Sequence, residues 1–196
     1  MDQFSKVAKK YLDNGLIAGL EWEIRHFNKV LSKNVEGYSD IENKTILEPG
    51  QIYRIYSMTK PIVSVAAIRL IEACKLSLNS NIQDFIPSFK HLKVLRPNGE
   101  LERLKRPVNL ADLLTHTSGL SYNFNMGCSV AQFYQQENIL NDPNISLEQM
   151  VDQIATLPLA FQPGEAWRYS VATDVIGRIL EICENKRLSD ILEEQI

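Results

Sequence analysis

Ser57-Met58-Thr59-Lys60 decides the fold of this 196-residue chain, because a long apolar helical pattern follows it directly. Apolar residues fill most positions from 62 to 73, which predicts a buried α-helix from residue 59 to about residue 75. Pro61 is tolerated only in the first turn of a helix, so this helix must begin close to Ser57. The serine and the lysine then lie one turn apart on the same face, within reach of each other.

A serine hydroxyl needs help to attack a carbonyl at neutral pH. A lysine one turn away, together with a phenol from elsewhere in the chain, can supply that help without a histidine. Burial and the positive end of the helix are expected to lower the pKa of Lys60 from its usual value of about 10.4, so that it acts as a base. The alternative interpretation is a helix-capping serine beside a surface lysine, and the tetrapeptide alone does not exclude it.

The residues before this helix predict an N-terminal helix and antiparallel strands. Residues 16–27 alternate apolar and charged side chains, as a half-buried strand does, and residues 30–38 return antiparallel after a turn at 28–29. Residues 52–56 predict a short strand leading into the helix. The expected fold class is therefore α+β, with strands first and a mainly helical region from residue 57 onward.

The rest of the chain predicts helices joined by loops. Five helices are expected, near residues 109–114, 129–137, 146–155, 170–185 and 188–195. The charged residues 96–106 are interpreted as a solvated loop. No repeat or linker divides the sequence, so residues 1–196 are expected to form a single domain.

Composition excludes several classes of function. A net charge of −3 and an isoelectric point near 5.7 argue against nucleic-acid binding. The N-terminus lacks the apolar core of a secretion signal and no segment has the roughly 18 apolar residues needed to cross a bilayer, so a cytoplasmic protein without membrane contact is expected. The three cysteines are isolated, and the three histidines lie far apart without the spacing of metal ligands. No metal ion or organic cofactor is expected.

Two further segments accompany the first one, in a fixed order. They are Leu113-Leu114-Thr115-His116-Thr117-Ser118-Gly119-Leu120 and Phe161-Gln162-Pro163-Gly164-Glu165-Ala166-Trp167-Arg168-Tyr169-Ser170. Together the three segments resemble the serine β-lactamase and penicillin-binding-protein-like superfamily, and most closely its class C-like esterases and transesterases, the family VIII carboxylesterases. The resemblance extends over nearly the whole chain and implies a β-lactamase/transpeptidase-like fold.

The resemblance implies roles for three residues. Ser57 would be the acylated nucleophile, Lys60 its base partner, and Tyr169 the group that carries the proton between Ser57 and the leaving group. The backbone N–H of Ser57 would form half of an oxyanion hole. By the same resemblance, His116 and Ser118 belong to a structural turn behind the site.

The sequence departs from the family pattern at two places. Two residues after the tyrosine, the β-lactamases have an asparagine that holds the substrate amide, and this chain has Val171, which favours esters. The third family motif, a Lys/His-x-Gly on a sheet strand, is absent, so the C-terminal sheet strands are expected to be missing and the domain incomplete. A second copy or a complementing chain is expected to supply those strands.

The resemblance thus implies a serine hydrolase that acts on small carboxylic esters, with possible acyl transfer to an alcohol. Two alternatives remain at this point. One is a catalytically impaired scaffold with a binding or assembly role, and the other is a penicillin-recognising β-lactamase or D-alanyl peptidase.

Overall fold

The computed structural model describes residues 3–140, 142 and 144–196. The chain divides into two units, of which the first ends at Ile55 and the second is Tyr56–Ile196. In the first unit, helix α1 (Gln3–Asp13) precedes a three-stranded antiparallel sheet. Its strands β1 (Gly19–His26), β2 (Lys29–Asp40) and β3 (Thr45–Ile46) lie in sequence order. The predicted hairpin is confirmed, with its turn one residue earlier than expected, at Phe27 and Asn28.

The prediction of a short strand at residues 52–56 is wrong. None of the described strands pairs with this segment, and the side chain of Ile52 is fully exposed. Without a pairing partner or a buried face, the apolar residues of the segment have nothing to hold them in a strand. The chain instead reaches Ser57 through a 3₁₀ turn, Tyr56–Met58.

The second unit is built around helices, as predicted. Helix α2 (Thr59–Glu72) follows the 3₁₀ turn, and the others are α3 (Leu110–Leu114), α4 (Ala131–Gln136), α5 (Leu147–Ile154), α6 (Ala172–Glu184) and α7 (Leu188–Gln195). All five helices predicted after α2 are confirmed. Helix α6 is the central one, because α2, α3, α5 and α7 all pack against it and most of its residues are buried.

Residues 96–106, interpreted from the sequence as a solvated loop, belong instead to a β-hairpin. Strands β4 (Lys93–Leu95) and β5 (Leu101–Arg103) pair antiparallel around a turn at Pro97-Asn98-Gly99. The high charge of residues 96–106 concealed the hairpin, whose buried residue, Val94, lies just before them and bridges to Leu159. The Asn98-Gly99 pair in the turn is typical of a hairpin.

Helix α2 is less buried than its sequence predicts. One face, formed by Val63, Ala66, Ala67 and Leu70, lies in the core, whereas Val65 and Ile68 on the opposite face are 49% and 42% exposed. Apolar residues thus occur on all sides of α2, but only one face of the helix is buried in this structure. In the described part of the chain, no helix combines the length and apolarity needed to span a bilayer.

Candidate active site

Ser57 lies in the 3₁₀ turn immediately before α2, with its side chain exposed. The residue before it, Tyr56, has a φ of +45°, a left-handed conformation that costs energy for a side chain of this size. The unpaired N–H groups in the first turn of α2 surround this position with positive potential. The local backbone therefore presents the serine hydroxyl to solvent beside the positive end of a long helix.

Lys60 extends from the first turn of α2 back towards Ser57. Its Nζ lies 3.5 Å from the Oγ of Ser57 and 3.0 Å from the phenol oxygen of Tyr122. The ammonium also sits 4.7 Å from the ring centre of Tyr169 and 5.4 Å from that of Tyr122. The lysine is thus held between two aromatic rings, which attract its positive charge.

Tyr169 completes the group that the sequence predicts. Its phenol oxygen lies 2.5 Å from the Oγ of Ser57, within the range of a short hydrogen bond between two hydroxyl groups. The structure therefore brings together Ser57, Lys60 and Tyr169, the three residues singled out from the sequence.

Tyr169 is placed by backbone hydrogen bonds between the two other motif segments. The N–H groups of residues 160, 164, 168 and 171 donate to the carbonyls of residues 119, 117, 116 and 121, at 2.7, 2.8, 2.9 and 3.3 Å. Gly119, with a φ of +87°, packs so closely that an added Cβ would lie 2.4 Å from the carbonyl oxygen of Phe161. This pairing gives a physical reason why the two segments occur together.

The turn that contains His116 lies directly behind Tyr169. The His116 ring is 5.0 Å from the Tyr169 ring, and its Nδ1 is 3.3 Å from the Oγ of buried Ser170. Burial lowers the pKa of His116, and the charge of Lys60 lowers it further, so the imidazole is neutral at pH 7. Ser118 accepts a hydrogen bond from the N–H of Leu120, 3.4 Å away.

The two tyrosines beside Lys60 differ in acidity. Burial raises the pKa of the Tyr169 phenol, but hydrogen bonds from Ser57 and Lys60, with the lysine charge, outweigh it and bring the pKa below 10. Burial also raises the pKa of Tyr122, and there the hydrogen bond from Lys60 does not compensate. Tyr169 is therefore the more acidic of the two phenols.

The expectation that Lys60 has a lowered pKa is wrong. Burial does lower the pKa of this ammonium, but hydrogen bonds to the phenol oxygens of Tyr122 and Tyr169 outweigh it and raise the pKa above 10.5. Lys60 is therefore protonated at neutral pH. Its charge lies close to the phenol oxygen of Tyr169 and lowers the pKa of that phenol.

Tyr122 was not identified from the sequence. It stands two residues after the Leu113–Leu120 segment, but nothing in its neighbours marks it as a partner of a lysine 62 residues away. Asp174 was also missed. This half-buried carboxyl lies in the first turn of α6, and burial raises its pKa while Lys60 lowers it.

A cavity of about 400 Å³ opens at the Ser57 hydroxyl. Its polar end holds Ser57, Lys60, Tyr122, Tyr169 and Asp174, and apolar side chains line the remainder: Val63, Phe124, Leu147 and Leu188. In size and composition it matches sites for small ligands with an apolar portion. Among the described residues, no cluster of metal-ligating side chains is found.

Comparisons with known proteins give a consistent result. The family model named Beta-lactamase matches residues 4–196. Protein Rv1367c of Mycobacterium tuberculosis is 34% identical over 192 residues, which cover 96% of this chain and 47% of that protein. Esterase EstB of Burkholderia gladioli is 32% identical over 168 residues, covering 85% of this chain and 41% of EstB.

The same likeness holds for solved structures. EstCE1, described as a hydrolase with promiscuous acyltransferase activity, superposes with a TM-score of 0.83 at 28% identity; the match covers 98% of this chain and 49% of EstCE1. The chain thus spans about half the length of the relatives it matches.

Proposed function

Because this chain belongs to the beta-lactamase family, as its motifs indicate, we propose that it carries the residues that form the acyl-enzyme of a serine esterase and that it reacts with small carboxylic esters. The observation that carries the proposal is the 2.5 Å contact between Ser57 and Tyr169, with Lys60 beside both. Relatives that include an esterase and a hydrolase with acyltransferase activity support this choice of substrate.

The proposed acylation begins with the Tyr169 phenolate, which takes the proton of Ser57 as Oγ attacks the ester carbonyl. The positive charge of the Lys60 ammonium stabilises the phenolate before this proton transfer. The same charge stabilises the oxyanion of the tetrahedral intermediate that the attack forms. Tyr169 then gives the proton to the departing alkoxide, and the acyl group stays on Ser57. Water releases a carboxylic acid, or a second alcohol takes the acyl group to form a new ester.

Val171 supports esters over β-lactams or peptides. Its side chain is completely buried at the start of α6, so it offers a substrate amide neither a hydrogen bond nor a contact. An ester lacks the amide hydrogen that such a contact would require. β-Lactam or D-alanyl peptide hydrolysis is therefore the less favoured function.

Covalent labelling tests the proposal without requiring complete turnover. The folded chain is incubated with a fluorophosphonate, and the modified residue is identified by peptide mass spectrometry. We expect an adduct on Ser57 that is lost in Ser57→Ala. Ser129→Ala is the matched control, because Ser129 is exposed in the same unit but lies outside the cavity, and this variant should label normally.

Absence of labelling in a sample with the circular dichroism of a folded protein would overturn the esterase proposal. Hydrolysis of nitrocefin at a rate exceeding that of p-nitrophenyl acetate would favour the β-lactamase alternative instead.

A second proposal concerns partners, and the exposed face of α2 favours it. Val65 and Ile68 leave apolar side chains in solvent on this helix, and Met58 in the 3₁₀ turn before it is 65% exposed. We propose that a second copy of the chain covers this face.

A further inference from the structure

A second cavity, of about 690 Å³, lies in the same unit and shares no lining residue with the Ser57 cavity. It is a groove between the segment at residues 83–93, which ends in β4, and residues 103–107. The side chains that line it include five cations and an imidazole, namely Lys90, His91, Lys93, Arg103, Lys105 and Arg106. Within the described part of the chain no carboxylate lines this basic groove, although the sequence has 24 acidic residues against 21 basic ones.

Two of the five cations are neutralised from outside the groove. Lys105 pairs with Glu165 at 2.7 Å, and Arg106 forms a forked pair with Asp112 at 2.6 and 2.8 Å. The other three, Lys90, Lys93 and Arg103, have no carboxylate of the described residues within ion-pairing distance, and all three side chains are exposed. An uncompensated charge of about +3 therefore lies in this groove.

The arrangement of two of these cations is unfavourable for the fold alone. Lys93 and Arg103 are directly opposed in the β4–β5 hairpin, so their side chains leave the same face of the sheet. Like charges in this position destabilise a strand pair. A multiply charged anion between them would turn that repulsion into attraction.

We propose that the basic groove binds the phosphoryl group of a small soluble molecule. A phosphoryl group carries enough negative charge to offset several cations at once, and the guanidinium of Arg103 can bind two of its oxygens while the lysines contribute point charges. The volume suits a small molecule. This site is independent of the reaction proposed at Ser57.

Binding of inorganic pyrophosphate to the full chain tests the proposal. Calorimetry at low salt is expected to show saturable binding that weakens as sodium chloride is added, since exposed charges are screened. The double variant Lys93→Gln/Arg103→Gln should lose at least tenfold in affinity. Without any ligand, the same variant should melt about 1–3 °C higher, because the repulsion is gone.

The control variant Lys10→Gln/Lys29→Gln removes the same charge from exposed positions in the other unit and should bind pyrophosphate as the unaltered chain does. Three results would overturn the proposal: no saturable binding, equal affinity in both double variants, or equal competition by acetate at matched ionic strength. Binding to phosphatidylglycerol vesicles without binding of pyrophosphate would also overturn it, in favour of a membrane surface.

Discussion

Tyr169 and Ser57 are separated by 112 residues of sequence, yet their side-chain oxygens lie 2.5 Å apart. The contact joins a residue just before α2 to a residue just before α6, and these two helices pack against each other. The helix pair therefore sets the distance between these two side-chain oxygens.

Replacement of Tyr169 by phenylalanine should slow the labelling of Ser57 by about 10²–10⁴-fold, because the ring remains but the proton acceptor is lost. The rate is measured with a fluorophosphonate under conditions in which the chain is folded. Tyr53→Phe is the matched control, since Tyr53 is hydrogen-bonded to Glu21 in the first unit and should not affect the rate. A Tyr169→Phe variant that labels as fast as the unaltered chain would exclude the phenol as the base.

The pH dependence of labelling should reflect the ionisation of Tyr169. In the proposed acylation the phenolate is the active form, so the rate should rise with pH through a pKa below 10. Lys60→Met removes hydrogen bonding and positive charge that lower this pKa, so the rising limb should move to higher pH and the rate at pH 7 should fall. If the labelling rate rises at the same pH in Lys60→Met as in the unaltered chain, the lysine does not lower the pKa of the Tyr169 phenol.

Gly119→Ala should destabilise the protein by about 3 kcal/mol, because it combines a left-handed φ with a Cβ placed against the carbonyl of Phe161. Gly99→Ala separates the two effects. Gly99 also has a positive φ, of +84°, but open space surrounds it, and the expected cost is about 1 kcal/mol. Urea unfolding of both variants measures the difference, and equal losses would contradict the predicted clash.

Asp112→Ala should cost about 1–3 kcal/mol of stability, because it removes a helix cap and charge-assisted hydrogen bonds while leaving the half-exposed guanidinium of Arg106 open to water. This carboxylate is 5% exposed, binds the guanidinium of Arg106 at two points, and accepts the N–H of Asn109 in the cap of α3. Asp190→Ala, at an exposed pair with Arg187, should change the free energy of unfolding by less than about 1 kcal/mol. Similar losses in the two variants would mean that the buried carboxylate of Asp112 contributes no more than the exposed one of Asp190.

The exposed face of α2 predicts self-association. Sedimentation of the chain should show species larger than a monomer, and Val65→Ser/Ile68→Ser should reduce them. Leu78→Ser is the control, because Leu78 is 47% exposed outside α2 and should leave the distribution unchanged. A stable monomer at micromolar concentration would remove the proposal that a second copy covers this face.

The sequence predicts the helices of this protein well because their signals are local. Periodic apolar residues, the position of Pro61 and the caps of α3 and α5 all act within one or two turns. The α+β class and the N-terminal hairpin are confirmed for the same reason. The β4–β5 hairpin was missed because its stability comes from the burial of Val94 beside distant Leu159, while charge dominates its own composition.

The sequence predicted those residues of the site that stand in family motifs, and only those. Ser57, Lys60 and Tyr169 stand in recognisable segments, and the structure brings them together. The direction in which the pKa of Lys60 shifts was not predictable, because it depends on the phenol oxygen of Tyr122 and on packing between segments far apart in sequence. The roles of these residues, the single domain and the cytoplasmic location stay predictions.

The backbone hydrogen bonds that join residues 116–121 to residues 160–171 determine which changes evolution can accept here. Since main-chain atoms make these bonds, the exposed side chains at residues 165–167 are free to vary while the phenol of Tyr169 keeps its place. Gly119 is not free in this way, because any larger residue would separate the two segments. Divergent descendants of this protein should therefore lose Trp167 or Glu165 long before they lose that glycine.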